Sequence, residues 1–232
     1  MTNHQLQILL GSASPRRREL MAGLDLPFTA INIDADETYP AELQGGDIPY
    51  YISRAKARAY EANLAPDQLL ITADTIVWLD GQMLGKPHDA DEAFDMLRAL
   101  SGKTHQVYTA VTFAQKITDP QAPSTQQPQT ISNDLKQPQT ISNHLKQPQT
   151  VSNAHLSLET LVDRTDVTFA ELTDAEIRHY IDKYKPFDKA GAYGVQEWIG
   201  YIACTEMKGS YFNVMGFPVH RVYEYLKSHG VL

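Results

Sequence analysis

Residues 70–87 constrain the fold of this chain most, because their pattern predicts a β-hairpin with an acid inside one strand. β-Branched and apolar residues flank Asp80-Gly81, a strong local signal for a two-residue hairpin turn. Asp74 interrupts the first apolar run, and a buried carboxylate is costly unless a cation, a metal or donors meet it. Asp74 is therefore a candidate general base or metal ligand, with Lys86 as a nearby cation in the sequence. The alternative is an Asp at a strand end that accepts backbone hydrogen bonds.

Composition narrows the class of protein. The chain has 232 residues, enough for one large domain or two small ones, and a hydrophobic fraction of 42% supports a buried core. It shows no apolar run of bilayer-spanning length and no secretory leader, and the single Cys204 cannot form an internal disulfide. We therefore expect a cytoplasmic protein without a membrane partner. The net charge of −8 disfavours nucleic acid as a partner and makes any local basic cluster informative.

The first basic cluster follows a predicted strand at residues 7–10. Ser14 and Pro15 predict a helix start, with Ser as N-cap and Pro at the first helical position. A helix N-terminus presents unpaired N–H groups, and three arginines at residues 16–18 add positive charge there, which outlines a phosphate site. The spacing is not that of a P-loop. An ordinary capped helix with a solvated basic first turn is the alternative.

Two more charged residues lie beside predicted elements. A strand at residues 28–33 ends in an acidic group that includes Glu37. Such acids are either solvated or ligands of Mg²⁺, which takes a few carboxylates together with phosphate oxygens. Residues 47–62 have the spacing of an amphipathic helix, and Lys56 lies on the flank of its apolar stripe. Lys56 either extends to water or reaches into a cleft.

The later part of the chain alternates between helix and strand patterns. Capping boxes predict helix starts at Asp89 with Glu92 and at Thr173 with Glu176. A last helix follows Pro218. Strands are predicted over residues 104–113, 156–169, 198–206 and 211–215, the first two as antiparallel neighbours. Residues 186–196 combine small residues, which allow close backbone approach to a ligand, with an acid, a base and an amide.

Residues 127–156 consist of three tandem decapeptides, QPQTISNDLK, QPQTISNHLK and QPQTVSNAHL. Each copy contains Pro and none contains an aromatic residue, so the segment cannot bury enough surface to offset its ordering entropy. We predict a single domain over residues 1–232 with a flexible low-complexity insertion at residues 117–155. A solenoid is the competing interpretation, but three short polar copies are fewer than stacked repeats normally require.

Six segments, in order, closely resemble the Maf family of nucleoside triphosphate pyrophosphatases. They are GSASPRRREL (11–20), TADTIV (72–77), GKP (85–87), LSGKTHQVYTAV (100–111), DKAGAYGVQ (188–196) and GSYFNVMGFP (209–218). The resemblance spans nearly the whole chain apart from roughly residues 117–155. Six ordered motifs are together far more specific than any one of them.

The resemblance implies an α/β fold, with an elongated mixed sheet flanked by helices in two lobes and a nucleotide cleft between them. It implies hydrolysis of a nucleoside triphosphate to the monophosphate and pyrophosphate, with a divalent cation, Mg²⁺ or Mn²⁺. Homodimers are common in the family, which makes a second copy of the chain a candidate partner. A role in septum formation, long attached to the family's name, gives the alternative of a nucleotide-binding regulator that acts through a partner.

The resemblance also implies roles for particular residues. Asp74 matches the catalytic proton acceptor, and it could hold the metal together with Glu37. Arg16, Thr75 and Gln196 match the positions associated with substrate choice, in a combination that resembles the dTTP/UTP subgroup. The other matched positions that line the family's cleft are Ser14, Arg17, Glu37, Lys56, Lys86, Asp188 and Lys189. Gln196 has both a donor and an acceptor for a pyrimidine edge.

Overall fold

The computed structural model describes residues 6–118 and 154–232, in which seven strands form one mixed sheet. The strands are β1 (Gln7–Gly11), β2 (Phe28–Ile31), β3 (Gln68–Leu79), β4 (Gln82–Leu84), β5 (Thr104–Thr118), β6 (Ala154–Phe169) and β7 (Cys204–Lys208). Their order across the sheet is β2-β1-β3-β5-β6-β7, and β4 pairs with β3 off this path. Helices flank the sheet, which confirms the predicted α/β class.

Three of the helices begin at the predicted caps Ser14, Asp89 and Thr173. They are α1 (Pro15–Ala22), α2 (Asp47–Ala59), α3 (Ala90–Leu100), α4 (Asp174–Tyr184), α5 (Trp198–Ala203), α6 (Tyr211–Val214) and α7 (Val219–Ser228), with short 3₁₀ helices at Glu61–Asn63 and Ala190–Ala192. Thr173 and Glu176 form the predicted reciprocal capping box. The box predicted at Asp89 is only half formed, because Glu92 accepts instead from the backbone N–H of His88.

The predicted hairpin is the centre of the sheet. Asp80 and Gly81 both have positive φ angles, 50° and 84°, as a tight turn between β3 and β4 requires. On one edge of β3, β1 pairs in parallel with residues 68–72 and β4 pairs antiparallel with residues 77–79. Residues 73–76 lie between these two ladders, so β3 has an unpaired edge at its middle within the described part of the chain.

Four hydrophobic clusters surround this unpaired edge. On one face of β3, Leu69 and Ile71 pack in a cluster with α1 and α7, and Val77 packs in a cluster with α3 and α4. On the other face, Leu70 and Ile76 belong to two clusters that each include residues of α2. Both faces are thus packed on either side of residues 73–76, which keeps the gap rigid.

Of the predicted strands, the one at residues 211–215 is wrong, and the one at residues 198–206 is confirmed only from Cys204 onwards. Residues 211–214 form helix α6, because Ser210 accepts a hydrogen bond from the backbone N–H of Asn213 at 3.3 Å and so caps a helix start. Residues 198–203 form helix α5, and the strand begins only at Cys204. The buried residues of α5, Ile199 and Ala203, are four apart and therefore share a helical face.

Strands β5 and β6 are antiparallel neighbours, as predicted, and they pair from Thr104↔Thr168 to Thr118↔Ala154. The insertion predicted between them lies almost wholly outside the described residues. Among the helices of residues 6–118 and 154–232, none is long and apolar enough to cross a bilayer.

The buried His105 predicts a pH dependence of stability. Its ring lies 2.8 Å from the Tyr193 hydroxyl and packs edge-on against Phe169, and burial lowers the pKa of His105 from 6.5 to about 4. The unfolded chain therefore binds a proton that the folded chain does not, and stability falls as the pH drops from about 6.5 towards 4. We expect a loss of about 2 kcal/mol in the free energy of unfolding between pH 7 and pH 5.

Urea unfolding at the two pH values measures this loss. The same series on His105→Gln should show a pH dependence smaller by that amount, because its side chain does not titrate. Equal pH dependence in both proteins would contradict the assignment.

Candidate active site

A cavity of about 290 Å³ opens at the unpaired edge of β3 and adjoins a second cavity of about 280 Å³ beside the N-terminus of α1. Every site residue predicted from the sequence lines the first cavity. The two cavities share a mostly charged set of residues, Ser14, Arg16, Arg17, Glu37, Lys56, Lys86 and Asp188. Some residues line the first cavity but not the second. Among these, Asp74 and Lys189 are charged and the others are uncharged.

Asp74 points to the α2 face of the sheet, and its side chain is only 12% exposed. Its Oδ1 accepts a hydrogen bond from Lys56 Nζ at 2.8 Å, and the same ammonium lies 3.0 Å from Glu37 Oε1. Burial raises the pKa of Asp74, while the positive charges of Lys56 and Arg17 act in the opposite direction. The result is a carboxylate that is more basic than a solvated one and that has a cation to stabilise its ionised form.

Arg17 holds the unpaired edge of β3 in place. Its Nη1 donates to Ala73 O at 2.8 Å, its Nη2 to Thr75 Oγ1 at 2.9 Å and its Nε to Gly216 O at 2.8 Å. The guanidinium thus replaces the missing neighbour strand at Ala73. The third arginine of the cluster, Arg18, donates to Ser12 O and Asn32 Oδ1 and is absent from both cavity linings. The predicted basic cluster is therefore divided between the cavity and the surface.

The loop before α5 holds the other charged side of the cavity. Asp188 lies 2.9 Å from Arg16 Nη1 and 2.7 Å from the ammonium of the buried Lys189. Burial acts to raise the pKa of Asp188, but hydrogen bonds and charge from Lys189 and Arg16 outweigh it and lower that pKa. Arg16, which comes from α1, is thus connected through a carboxylate to a lysine of the distant loop.

Sequence reasoning missed two residues behind this loop. Glu197 lies 3.2 Å from the Lys189 ammonium and accepts a hydrogen bond from the Tyr180 hydroxyl, which in turn accepts from the backbone N–H of Gly194 at 3.0 Å. The sequence carried a signal for Glu197, because it is an acid directly after the small-residue loop. For Tyr180 there was no such signal, since it occupied an ordinary core position of a predicted helix.

Fold and site together define the class: a mixed-sheet α/β protein with a cleft at a gap in the sheet, lined by five cationic and three acidic side chains. The family model for Maf-like proteins matches residues 7–154 and 136–229. The chain belongs to the Maf family, as the sequence motifs indicate.

Several relatives cover nearly the whole chain. A dTTP/UTP pyrophosphatase of Bacteroides thetaiotaomicron is 45% identical over 222 residues, which is 95% of this chain and 95% of that protein. A dTTP/UTP pyrophosphatase of Porphyromonas gingivalis is 43% identical, covering 97% of this chain and 94% of the relative. One of Flavobacterium psychrophilum is 40% identical, with 96% and 94% covered.

The contacts of Arg17 predict a stability difference between neighbouring arginines. Arg17→Met removes three hydrogen bonds and leaves Ala73 O and Gly216 O without these donors, so we expect a loss of about 2 to 4 kcal/mol in the free energy of unfolding. Arg18→Met is the matched control from the same helix, and its partly exposed contacts should make its loss less than about 1 kcal/mol. Urea unfolding measures both, and equal losses would show that Arg17 does not support the edge of β3.

Proposed function

We propose that this chain hydrolyses dTTP and UTP to the nucleoside monophosphate and pyrophosphate. The observation that carries the proposal is a buried acid, Asp74, among cations in a cavity that adjoins a helix N-terminus and extends along an uncharged wall. The names of the 40 to 45% identical relatives support the same activity. The charged part of the cavity suits a triphosphate, and its uncharged wall suits a nucleotide base.

The phosphates would bind where the two cavities meet. A triphosphate is strongly anionic and the chain has a net charge of −8, so binding depends on cations concentrated in one place. Arg16 and Lys86 line both cavities, and Ser14 caps α1 beside them. In residues 6–118 and 154–232, Lys86 has no ion-pair partner, which leaves its charge for a phosphate. Helix N-termini bind phosphate through their free N–H groups.

Asp74 would act as the proton acceptor in the chemical step. A water oxygen bonds to the α phosphorus, the bond from that phosphorus to the bridging oxygen breaks, and pyrophosphate leaves with the bridging oxygen. The proton of the water passes to a carboxylate oxygen of Asp74. Lys56, at 2.8 Å, favours the ionised form that accepts the proton, and positioning and charge neutralisation supply most of the remaining catalysis.

Glu37 and Asp74 fit a divalent cation such as Mg²⁺ or Mn²⁺. Both carboxylates approach one point, since each lies within 3.0 Å of the Lys56 ammonium. Mg²⁺ is commonly held by one or two carboxylates, with phosphate oxygens and water as its other ligands. When bound, the cation would neutralise charge on the phosphates.

The proposal predicts the effect of Asp74→Asn. Pyrophosphate release is measured with dTTP, UTP, CTP, GTP and 7-methyl-GTP, in Mg²⁺ or Mn²⁺. We expect dTTP and UTP to lead, and Asp74→Asn to lower kcat by about 10³-fold while nucleotide binding persists, because the amide cannot accept the proton. The matched control is Asp80→Asn in the turn of the same hairpin, where Asn suits the positive φ and activity should not change.

Turnover of no nucleotide by folded protein with either metal would overturn the enzymatic proposal. A regulator of septum formation would then be the better explanation. Such a regulator should keep its effect on division in the Asp74→Asn variant.

We also propose that the insertion is dispensable for catalysis. Thr118 and Ala154 are direct partners at the end of the β5–β6 ladder, so residues 119–153 can be replaced by Asn-Gly, which forms a two-residue hairpin turn. Ala110, the partner of Asp74, lies eight residues before Thr118, about 26 Å along the strand. We expect kcat/KM for UTP to stay within about threefold of the full chain, because loop changes far from a site are tolerated. Loss of activity in the folded deletion would contradict this expectation.

A further inference from the structure

Thr75 lines the first cavity, and its hydroxyl has hydrogen-bond partners within the protein. Its Oγ1 accepts from Arg17 Nη2 at 2.9 Å and lies 2.9 Å from Thr109 Oγ1, the residue directly opposite on β5. Gly216 O, at 3.4 Å, is a second and more distant acceptor for the Thr75 proton. A hydroxyl has one proton and two acceptor lone pairs, so these neighbours determine what remains for a ligand.

The position of Thr109 decides where the Thr75 proton goes. Thr109 Oγ1 lies 3.0 Å from the backbone oxygen of Asn213, and that oxygen can only accept. The single proton of Thr109 is therefore donated to Asn213 O, and Thr75 donates its own proton to Thr109 at 2.9 Å in preference to Gly216 O at 3.4 Å. Arg17 uses one lone pair of Thr75. The hydroxyl is left with one lone pair and no proton for a ligand, which makes it an acceptor only.

The partner of Thr109 is itself fixed. Asn213 is fully buried, and its Nδ2 donates to Val107 O at 3.1 Å and to Thr165 Oγ1 at 2.9 Å. Thr109 and Thr165 are also fully buried. Rotation of the Thr109 hydroxyl would break a buried hydrogen bond, so the direction of the whole chain of donors is stable.

Gln196 lines the same cavity, but its side chain is not restricted to accepting hydrogen bonds from a ligand. Among the described residues, no hydrogen bond holds its side-chain amide, which can present either its oxygen or its NH₂ group by rotation. An amide free to rotate can pair with a donor or with an acceptor on a base. Discrimination between the two therefore requires a group of fixed polarity.

The base is expected at this wall of the cavity. The cations shared by both cavities take the phosphates. The uncharged lining of the first cavity includes Val107, Val214 and Met215, and Thr75 adjoins it through Thr109 and Asn213, while Arg17 occupies the other side of its hydroxyl. An apolar surface with a few fixed polar groups is typical of the part of a site that sets ligand orientation and specificity.

We propose that Thr109 is a positioning residue that makes Thr75 an obligate acceptor, so that the site selects a base with an N–H group at the facing position. The imide N3–H of uracil or thymine satisfies this requirement. Cytosine presents an unprotonated N3, which would leave two acceptors facing each other. The inference rests on the proposed function and adds the means by which UTP is separated from CTP.

The test compares kcat/KM for UTP and CTP in four proteins: the full chain, Thr109→Val, Thr109→Ser and Thr112→Val. Thr109→Val frees the Thr75 proton for the N3 of cytosine, so the UTP/CTP ratio should fall by about tenfold or more, mainly through faster CTP hydrolysis. Thr109→Ser keeps the hydroxyl and should restore the ratio.

Thr112→Val is the matched control. Thr112 is equally buried on the same strand, but it is bonded to Ser53 and Thr160 and not to Thr75, so the ratio should not change.

A second measurement needs no variant. N3-methyl-UTP lacks the proton that Thr75 would accept, and the full chain should hydrolyse it at least about 100-fold less efficiently than UTP. The inference is overturned if Thr109→Val lowers UTP and CTP hydrolysis alike, or if N3-methyl-UTP is as good a substrate as UTP. Failure of the proposed function would look different, because the full chain would then release pyrophosphate from no nucleotide.

Discussion

The interruption of backbone pairing along β3 is the constraint on which the site depends. A strand edge in the middle of a sheet needs hydrogen-bond partners, and the two ladders on either side of residues 73–76 leave that edge open. Arg17 supplies a donor to Ala73 O and at the same time binds Thr75 and Gly216 O. The Arg17 guanidinium thus supplies a hydrogen bond that a neighbouring strand would otherwise supply, and it leaves room for a ligand.

Much of this arrangement could be predicted from local chemistry. The turn at Asp80-Gly81 and the capping boxes are determined by residues close together in the sequence, so they identified β3, β4 and the starts of several helices. The acid at Asp74 stood out because a carboxylate inside an apolar strand requires a partner. The motifs resembling the Maf family named the residues that the structure brings to one cavity, although local chemistry alone could not say that they meet.

The features that could not be predicted depend on contacts between distant segments. Residues 211–214 are helical because of a cap at Ser210, and a short apolar run has no periodicity that separates helix from strand. The three arginines of α1 look equivalent in the sequence, yet Arg17 and Arg18 have different partners because only Arg17 reaches the gap in β3. The direction of the hydrogen bonds from Thr75 through Thr109 to Asn213 likewise depends on the relative positions of β3, β5 and α6.

Asp74 and Thr75 are consecutive residues on one strand, and their side chains therefore point to opposite faces of the sheet. One inserted residue between residues 68 and 74 would move the acid to the position beside Arg17, and one deleted residue would move the hydroxyl to the position beside Lys56. The length of this part of the strand therefore decides which side chain meets which cation. The β5–β6 connection begins and ends at the paired residues Thr118 and Ala154, so a change in its length by whole decapeptides leaves the register of the sheet unchanged.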